Sequence, residues 1–200
     1  GDLTKMFDIS GKKAMIFGGA GGFGEAIAAG YAANGCSVCI SSRSEEKLQA
    51  AKAKIEAAAA PGVKVMYIAG DAGDEEFVKK AVEVVTGPEG LGGCDILVNA
   101  QGINKKMWSW EIDTDFFEKM LHTNITSLML TCKYFGNWMK SNNVEGAEKI
   151  GEADFEHGKC NPNQGYGKII NFGSVRGIRA VANGGNGNVP YNTTKGAVEM

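Results

Sequence analysis

Histidine is scarce in this 200-residue sequence, which contains only His122 and His157. Neither has a Ser, Cys or acidic partner arranged as a hydrolase triad requires, so nucleophilic hydrolysis finds no support. No cluster of His, Cys and acidic residues suggests a catalytic metal, and none is expected. Net charge is small as well: 21 Lys and Arg against 23 Asp and Glu leave −2. A chain so balanced carries no broad field to draw nucleic acid or an acidic membrane. No stretch approaches the ~18 unbroken apolar residues of a membrane span. The opening Gly1-Asp2-Leu3-Thr4-Lys5-Met6 lacks the apolar core of a signal peptide. A cytoplasmic location is the expectation. Five cysteines, Cys36, Cys39, Cys94, Cys132 and Cys160, are scattered and odd in number, which argues against a disulfide framework. Cys36 and Cys39 have redox or metal spacing but fall in an apolar run that reads as a strand, so core thiols are expected there.

Glycine is in excess, at 29 residues, about twice its usual share. The glycines cluster between short apolar runs and longer amphipathic ones, where backbone must turn tightly or approach something closely. Strands are expected at residues 13–17, 37–41, 63–68, 94–98 and 168–172. Helices are expected at 22–34, from a Ser44 cap to Pro61, from an Asp74 cap through Val85, at about 113–141, and from Pro190 onward. Alternation of apolar strands with helices implies a doubly wound α/β Rossmann fold, a parallel sheet with helices on both faces. Residues 1–200 read as one domain. The polar stretch 142–167 is long for a helix-to-strand connection and reads as a solvated insertion or a subunit contact. The chain stops at Met200 inside its last helix, so these residues are expected to be the front part of a longer protein.

Chemistry concentrates at the C-terminal ends of the strands. Phe17-Gly18-Gly19-Ala20-Gly21-Gly22-Phe23-Gly24 follows the first strand and opens the first helix. Backbone without side chains lets a pyrophosphate approach, and the helix N-terminus supplies amide donors and a positive dipole. An acid about 20 residues further on would bind the ribose 2′-hydroxyl of NAD. The second strand ends instead in Ser41-Ser42-Arg43, where a guanidinium suits a 2′-phosphate. NADP(H) is therefore favoured over NAD(H), unless Arg43 is merely a solvated loop charge. Tyr191 and Lys195 stand four apart in Tyr191-Asn192-Thr193-Thr194-Lys195, on one helix face. A phenol, with pKa near ~10, is a poor acid–base group at neutral pH, and a neighbouring ammonium favours its phenolate. Such a pair can exchange a proton with a substrate oxygen while a nicotinamide exchanges hydride; a plain surface helix pair has the same spacing.

Taken together these segments resemble the short-chain dehydrogenase/reductase family. The family's T-G-x-x-x-G-x-G motif matches Gly18, Gly22 and Gly24, with Phe17 in place of Thr, and its N-N-A-G segment appears as Asn99-Ala100-Gln101-Gly102. Its catalytic Asn matches Asn124 in His122-Thr123-Asn124-Ile125, its catalytic Ser matches Ser174 in Asn171-Phe172-Gly173-Ser174, and its Y-x-x-x-K matches Tyr191 and Lys195. The motifs fall in the family's order across nearly the whole chain.

The resemblance implies Tyr191 as general acid/base and Ser174 as the group that polarises the substrate oxygen. Lys195 would hold the nicotinamide ribose and tune Tyr191, and Asn124 would organise a water for proton relay. Asn124 also falls in line with Phe117, Leu121 and Leu128, so a buried Asn needing partners is expected, either in that relay or in a purely structural role. Cofactor contacts are implied for Gly18, Gly19, Gly22, Phe23, Gly24, Ser42, Arg43, Asp71, Ala72, Asn99, Ala100, Gly102, Tyr191 and Lys195; Asp71 matches the position beside the adenine ring, or is a turn residue. Homo-oligomers, dimers or tetramers, are usual in the family. The opening Met6-Phe7-Asp8-Ile9-Ser10-Gly11-Lys12 and the Gly102-Ile103-Asn104-Lys105-Lys106 segment resemble gluconate 5-dehydrogenase-type members. Lys105, Lys106, Arg176 and Arg179 would suit a carboxylate-bearing substrate such as a keto sugar acid. Trp108 and Trp110 read as a pocket wall or as packing. The alternatives are a different carbonyl or alcohol substrate, a 3-oxoacyl thioester or a polyol, and a non-catalytic NADP-binding sensor. The glycine- and asparagine-rich residues 182–188 either shape the substrate entrance or form a loose loop.

Overall fold

The computed structural model describes residues 7–142, 167–179 and 188–200. The interior of the expected polar insertion, the glycine-rich stretch up to 187, Gly1, His157 and Cys160 lie outside the described residues. Five strands form one sheet: β1 (Lys13–Phe17), β2 (Ser37–Ser42), β3 (Val65–Ala69), β4 (Ile96–Asn99) and β5 (Lys168–Asn171). Their order is β3-β2-β1-β4-β5 and every pairing is parallel. The helices are α1 (Gly22–Ala33), α2 (Glu45–Ala58), α3 (Glu75–Thr86), α4 (Thr114–Leu121), α5 (Ser127–Asn142), the short α6 (Val175–Ile178) and α7 (Val189–Glu199). This is the doubly wound α/β arrangement expected from the sequence.

β1 alternates its side chains between two layers. Ala14 and Ile16 join Val38, Ile40, Val98 and the buried face of α1 and α2. Met15 and Phe17 join Cys39, Leu97, the α3 residues Val78, Ala81 and Val85, and Leu130 and Phe135 of α5. Each fully buried side chain of this size contributes roughly 1.5–3 kcal/mol of burial free energy. Register aligns Phe17 with both Ser41 and Asn99, and Asn99 with Asn171, so the strands end together. Because β2 and β4 flank β1 on opposite sides, the chain reverses its winding there and leaves a crevice at those ends.

Local chemistry sets the helix starts. The Ser44 hydroxyl accepts from the Lys47 backbone N–H at the start of α2. The Asp74 carboxylate accepts from Glu76 and Phe77 at the start of α3, and each cap satisfies amides that the first turn leaves unpaired.

Several boundaries differ from expectation. β3 begins at Val65 and β4 at Ile96. Asp95 precedes β4, its N–H bonding Lys13 O and its carboxylate accepting the Lys13 N–H. The expected helix over 113–141 is interrupted by a π-helical turn, His122–Thr126. The extra residue of a π-turn re-phases the faces on either side. Asn124 is accordingly buried in line with Met120, Ser127 and Thr131, whereas Phe117, Leu121 and Leu128 are only half-buried. β5 is the edge of the described sheet, with Ile169 and Ile170 42% and 40% exposed.

Candidate active site

A groove of about 480 Å³ opens at the C-terminal ends of β1 to β4. Gly18, Ala20 and Gly21 supply one side, and Ser42, Arg43, Ser44 and Lys47 line the end beyond β2. Asp71 and Ala72, Ala100 to Gly102, and Thr123 and Ser127 complete it. Of the residues expected at a cofactor, Gly18, Ser42, Arg43, Asp71, Ala72, Ala100 and Gly102 are in this wall. Lys47 and Ser127, which no sequence motif marks, are there too, with Thr123 beside the motif residue Asn124.

The glycine turn divides its labour. Gly18 has φ +74°, and a Cβ there would lie 2.6 Å from the Gln101 backbone nitrogen. A Cβ at Gly24 would collide with the Gly18 carbonyl, and one at Gly19 would lie 2.6 Å from Ile40 Cβ. These three glycines therefore press the turn against its supports. A Cβ at Gly21 or Gly22 would meet nothing within 4 Å, so the backbone there faces open space at the N-terminus of α1. That arrangement fits a pyrophosphate. Phe23 is exposed, its ring 5.8 Å from that of Phe172. The Asp71 carboxylate accepts the Gly73 N–H at 2.9 Å, forming a turn at the groove's edge.

The wall after β4 is held by side-chain amides. Asn99, fully buried, donates to Asn171 Oδ1 and to Cys132 Sγ and accepts from the Thr131 hydroxyl, so its side chain ties β4 to β5 and α5. Ser127 donates to the Thr123 carbonyl at 2.6 Å and can therefore only accept from Gln101, whose Nε2 lies 3.2 Å away. This fixes the orientation of the Gln101 amide and leaves its buried Oε1 without a donor among the described residues. A ribose hydroxyl is a donor of the kind such an acceptor requires, a second sign that the groove fits a dinucleotide.

α7 brings the Tyr–Lys pair beside this wall. Lys195 is buried, its Nζ 5.7 Å from the Tyr191 ring centroid and donating to the Phe172 carbonyl. Burial lowers its pKa, and the nearby Glu199 carboxylate opposes that shift. Asn124 Nδ2 bonds Thr194 of α7 at 3.0 Å and so ties the helix to the π-turn. α6 packs against α7 so closely that a Cβ at Gly177 would lie 2.6 Å from the Lys195 carbonyl oxygen. Ser174 caps α6: its Oγ accepts the Arg176 N–H at 3.2 Å, which leaves the hydroxyl proton free to donate. Tyr191, Lys195 and Asn124 are thus connected through one helix, and Ser174 stands at the end of the element packed on it. Trp108 and Trp110 stack at 5.0 Å, with Trp110 76% exposed, and Lys105 lies 5.3 Å over the Phe116 ring. No helix among the described residues is long and apolar enough to cross a membrane.

Residues 12–148 match the family model for short chain dehydrogenases. The chain belongs to the short-chain dehydrogenase family. It is 32% identical over 171 residues to general stress protein 39 of Bacillus subtilis (strain 168), covering 84% of this chain and 55% of that protein. It is 28% identical over 194 residues to gluconate 5-dehydrogenase of Gluconobacter oxydans (strain 621H), covering 97% of this chain and 64% of that one. A short-chain type dehydrogenase/reductase from Mycobacterium marinum superposes with a TM-score of 0.80 at 27% identity, over 99% of this chain and 69% of its own. The chain therefore spans a little over half to just under two thirds of these two curated relatives.

Proposed function

We propose that the protein is an NADP(H)-dependent oxidoreductase that interconverts a secondary alcohol and a ketone. The observation that carries this reading is the burial of Lys195 beside the Tyr191 ring on a helix that Asn124 anchors. Bound in the groove, the nicotinamide dinucleotide supplies or accepts the hydride. The glycine turn and the α1 N-terminus would hold its pyrophosphate, and Asp71 and Ala72 in the groove wall would take its adenine end. Tyr191 Oη exchanges a proton with the substrate oxygen. The free hydroxyl proton of Ser174 donates to that oxygen and polarises the carbonyl. The Lys195 ammonium, buried 5.7 Å from the centre of the Tyr191 ring, would hold the nicotinamide ribose. Asn124 keeps this helix at the groove and serves the proton relay.

Arg43 at the end of β2, where an NAD enzyme would place a carboxylate, supports NADP(H). Lys105, Lys106, Arg176 and Arg179 on the segments following β4 and β5, with the similarity to gluconate 5-dehydrogenase, favour a keto sugar acid such as 5-ketogluconate. A dimer or tetramer is the expected assembly.

The test is NADPH oxidation followed at 340 nm with the full-length protein and a panel of keto sugar acids, 3-oxoacyl thioesters and ketoses, beside a Tyr191→Phe control. Turnover of a sugar acid that the substitution abolishes supports the reading, and turnover of another carbonyl corrects only the substrate. Tight NADPH binding with no turnover of any carbonyl replaces the enzyme with a sensor.

A further inference from the structure

Lys47 belongs to no motif, yet it lines the groove on the same wall as Ser42, Arg43 and Ser44. It lies in the first turn of α2, where its backbone N–H donates to the Ser44 hydroxyl at 3.4 Å. Side chains on a helix tilt toward its N-terminus, so this one leans back over the end of β2. A cation in that turn opposes the helix dipole, which favours acids such as the neighbouring Glu45 and Glu46. A locally unfavourable charge facing a ligand groove is the pattern of a residue kept for binding.

Ion pairing does not explain it. Lys52, Lys54, Lys79 and Lys133 each reach a glutamate at 2.6–3.1 Å. No carboxylate among the described residues pairs with Lys47 or Arg43. The nearest sequence acid to the cap, Glu45, accepts from the Tyr67 hydroxyl at 3.2 Å instead. Two unpaired cations and two serines thus share one end of the groove, next to the turn that carries Asp71.

We propose that Lys47 is the second cation of a 2′-phosphate subsite, acting with Arg43 to select NADPH over NADH. This rests on the NADP(H) reading and adds to it a residue of this chain outside the strand-end position that the reading uses. Arg43 offers a planar fork and Lys47 a compact point charge, so the phosphate dianion meets cations from two directions. Both residues line the end of the groove beyond β2, while the glycine turn supplies another side, so the effect is expected to be confined to cofactors bearing the 2′-phosphate.

The test is fluorescence titration of the full-length protein with NADPH and with NADH, for wild type, Lys47→Gln, Lys47→Arg and Arg43→Gln. Lys47→Gln is expected to weaken NADPH about tenfold, to leave NADH unchanged, and to be largely rescued by Lys47→Arg. The NADPH affinity of wild type should also fall more steeply with salt than that of Lys47→Gln. Wild type binding NADH as tightly as NADPH would overturn the NADP(H) reading and the subsite together. Wild type preferring NADPH, with Lys47→Gln keeping that ratio within twofold, would leave the reading standing and remove Lys47 from it. Equal weakening of both cofactors would show that Lys47 supports the loop and not the phosphate.

Discussion

Asn124 and Ile103 exchange two hydrogen bonds: the Ile103 N–H donates to Oδ1 at 2.8 Å, and Nδ2 donates to the Ile103 carbonyl at 3.0 Å. The second Nδ2 proton goes to Thr194 Oγ1, whose own proton is engaged by the Tyr191 carbonyl at 2.9 Å. Thr194 can therefore only accept, and the Ile103 carbonyl likewise, so position 124 must supply two donors. Asn124→Ala is expected to cost about 2–3 kcal/mol, mostly from partners left unpaired, read as a lowered urea midpoint. Asn124→Asp should be at least as damaging at neutral pH, because a carboxylate meets two acceptors. Burial without donors raises that carboxyl's folded pKa, so the variant should recover stability relative to wild type as pH falls toward ~4 and lose it as pH rises. An Asp variant as stable as wild type at pH 7 would show that the donor pattern is not obligatory.

Glu199 and Ser174 are linked through a missing side chain. The Glu199 carboxylate accepts the Ser174 N–H at 3.1 Å, in space that a Cβ on Gly173 would occupy. Gly173→Ala and Glu199→Ala should therefore damage the same thing, the position of the Ser174 hydroxyl. Each single substitution is expected to lower kcat severalfold with little change in NADPH affinity, and the double variant to be no worse than the poorer single. Additive losses in kcat would separate the two residues.

Much of this architecture is legible in the sequence because it is local. Ser44 and Asp74 cap the helices expected of them, and the glycine turn lies between β1 and α1 where spacing places it. What sequence pattern does not carry is re-phasing and remote proximity. The residues around 122–126 contain neither Pro nor Gly, so nothing announces the π-turn that moves Asn124 into line with Met120 and Ser127. Asn99 stands where a cofactor contact is implied, but only the paired register with Asn171 reveals that its amide is engaged across the sheet. In the sequence Lys47 is one more charge on a solvated helix face; its place in the groove depends on how α2 leaves the end of β2.

Lys195 predicts a stability that depends on alkaline pH. Its folded pKa lies below the ordinary lysine value of 10.5 because the ammonium is desolvated, with Glu199 opposing the shift. Between that lowered value and 10.5 the unfolded chain holds a proton that the folded chain has released. Folding stability therefore rises with pH across this window and is lost again as pH falls through the folded pKa. Compared with Lys195→Met, the wild-type urea midpoint should gain ground as pH is raised toward 10.5 and the difference should be flat near pH 7. A difference independent of pH to that point would show that the ammonium is not desolvated.

The described thiols should be poor nucleophiles, and unequal ones. Burial pushes Cys36 and Cys94 up to about 12, and Cys39 is shifted further in the same direction. Cys132 is raised too, but bonds from Asn99 and to Asn171 oppose its burial, and it is only half-buried. The thiolate is the reactive form, so native protein treated with iodoacetamide at pH 8 should leave Cys36, Cys39 and Cys94 unmodified and label Cys132 first among the four. Peptide mapping reads the order directly. Denaturing the chain should equalise the four, since each shift begins with burial. Rapid native labelling of Cys36 or Cys39 would mean that β2 opens on the timescale of the reaction, and the central strands could not then hold the groove's Ser42 and Arg43 in a fixed place.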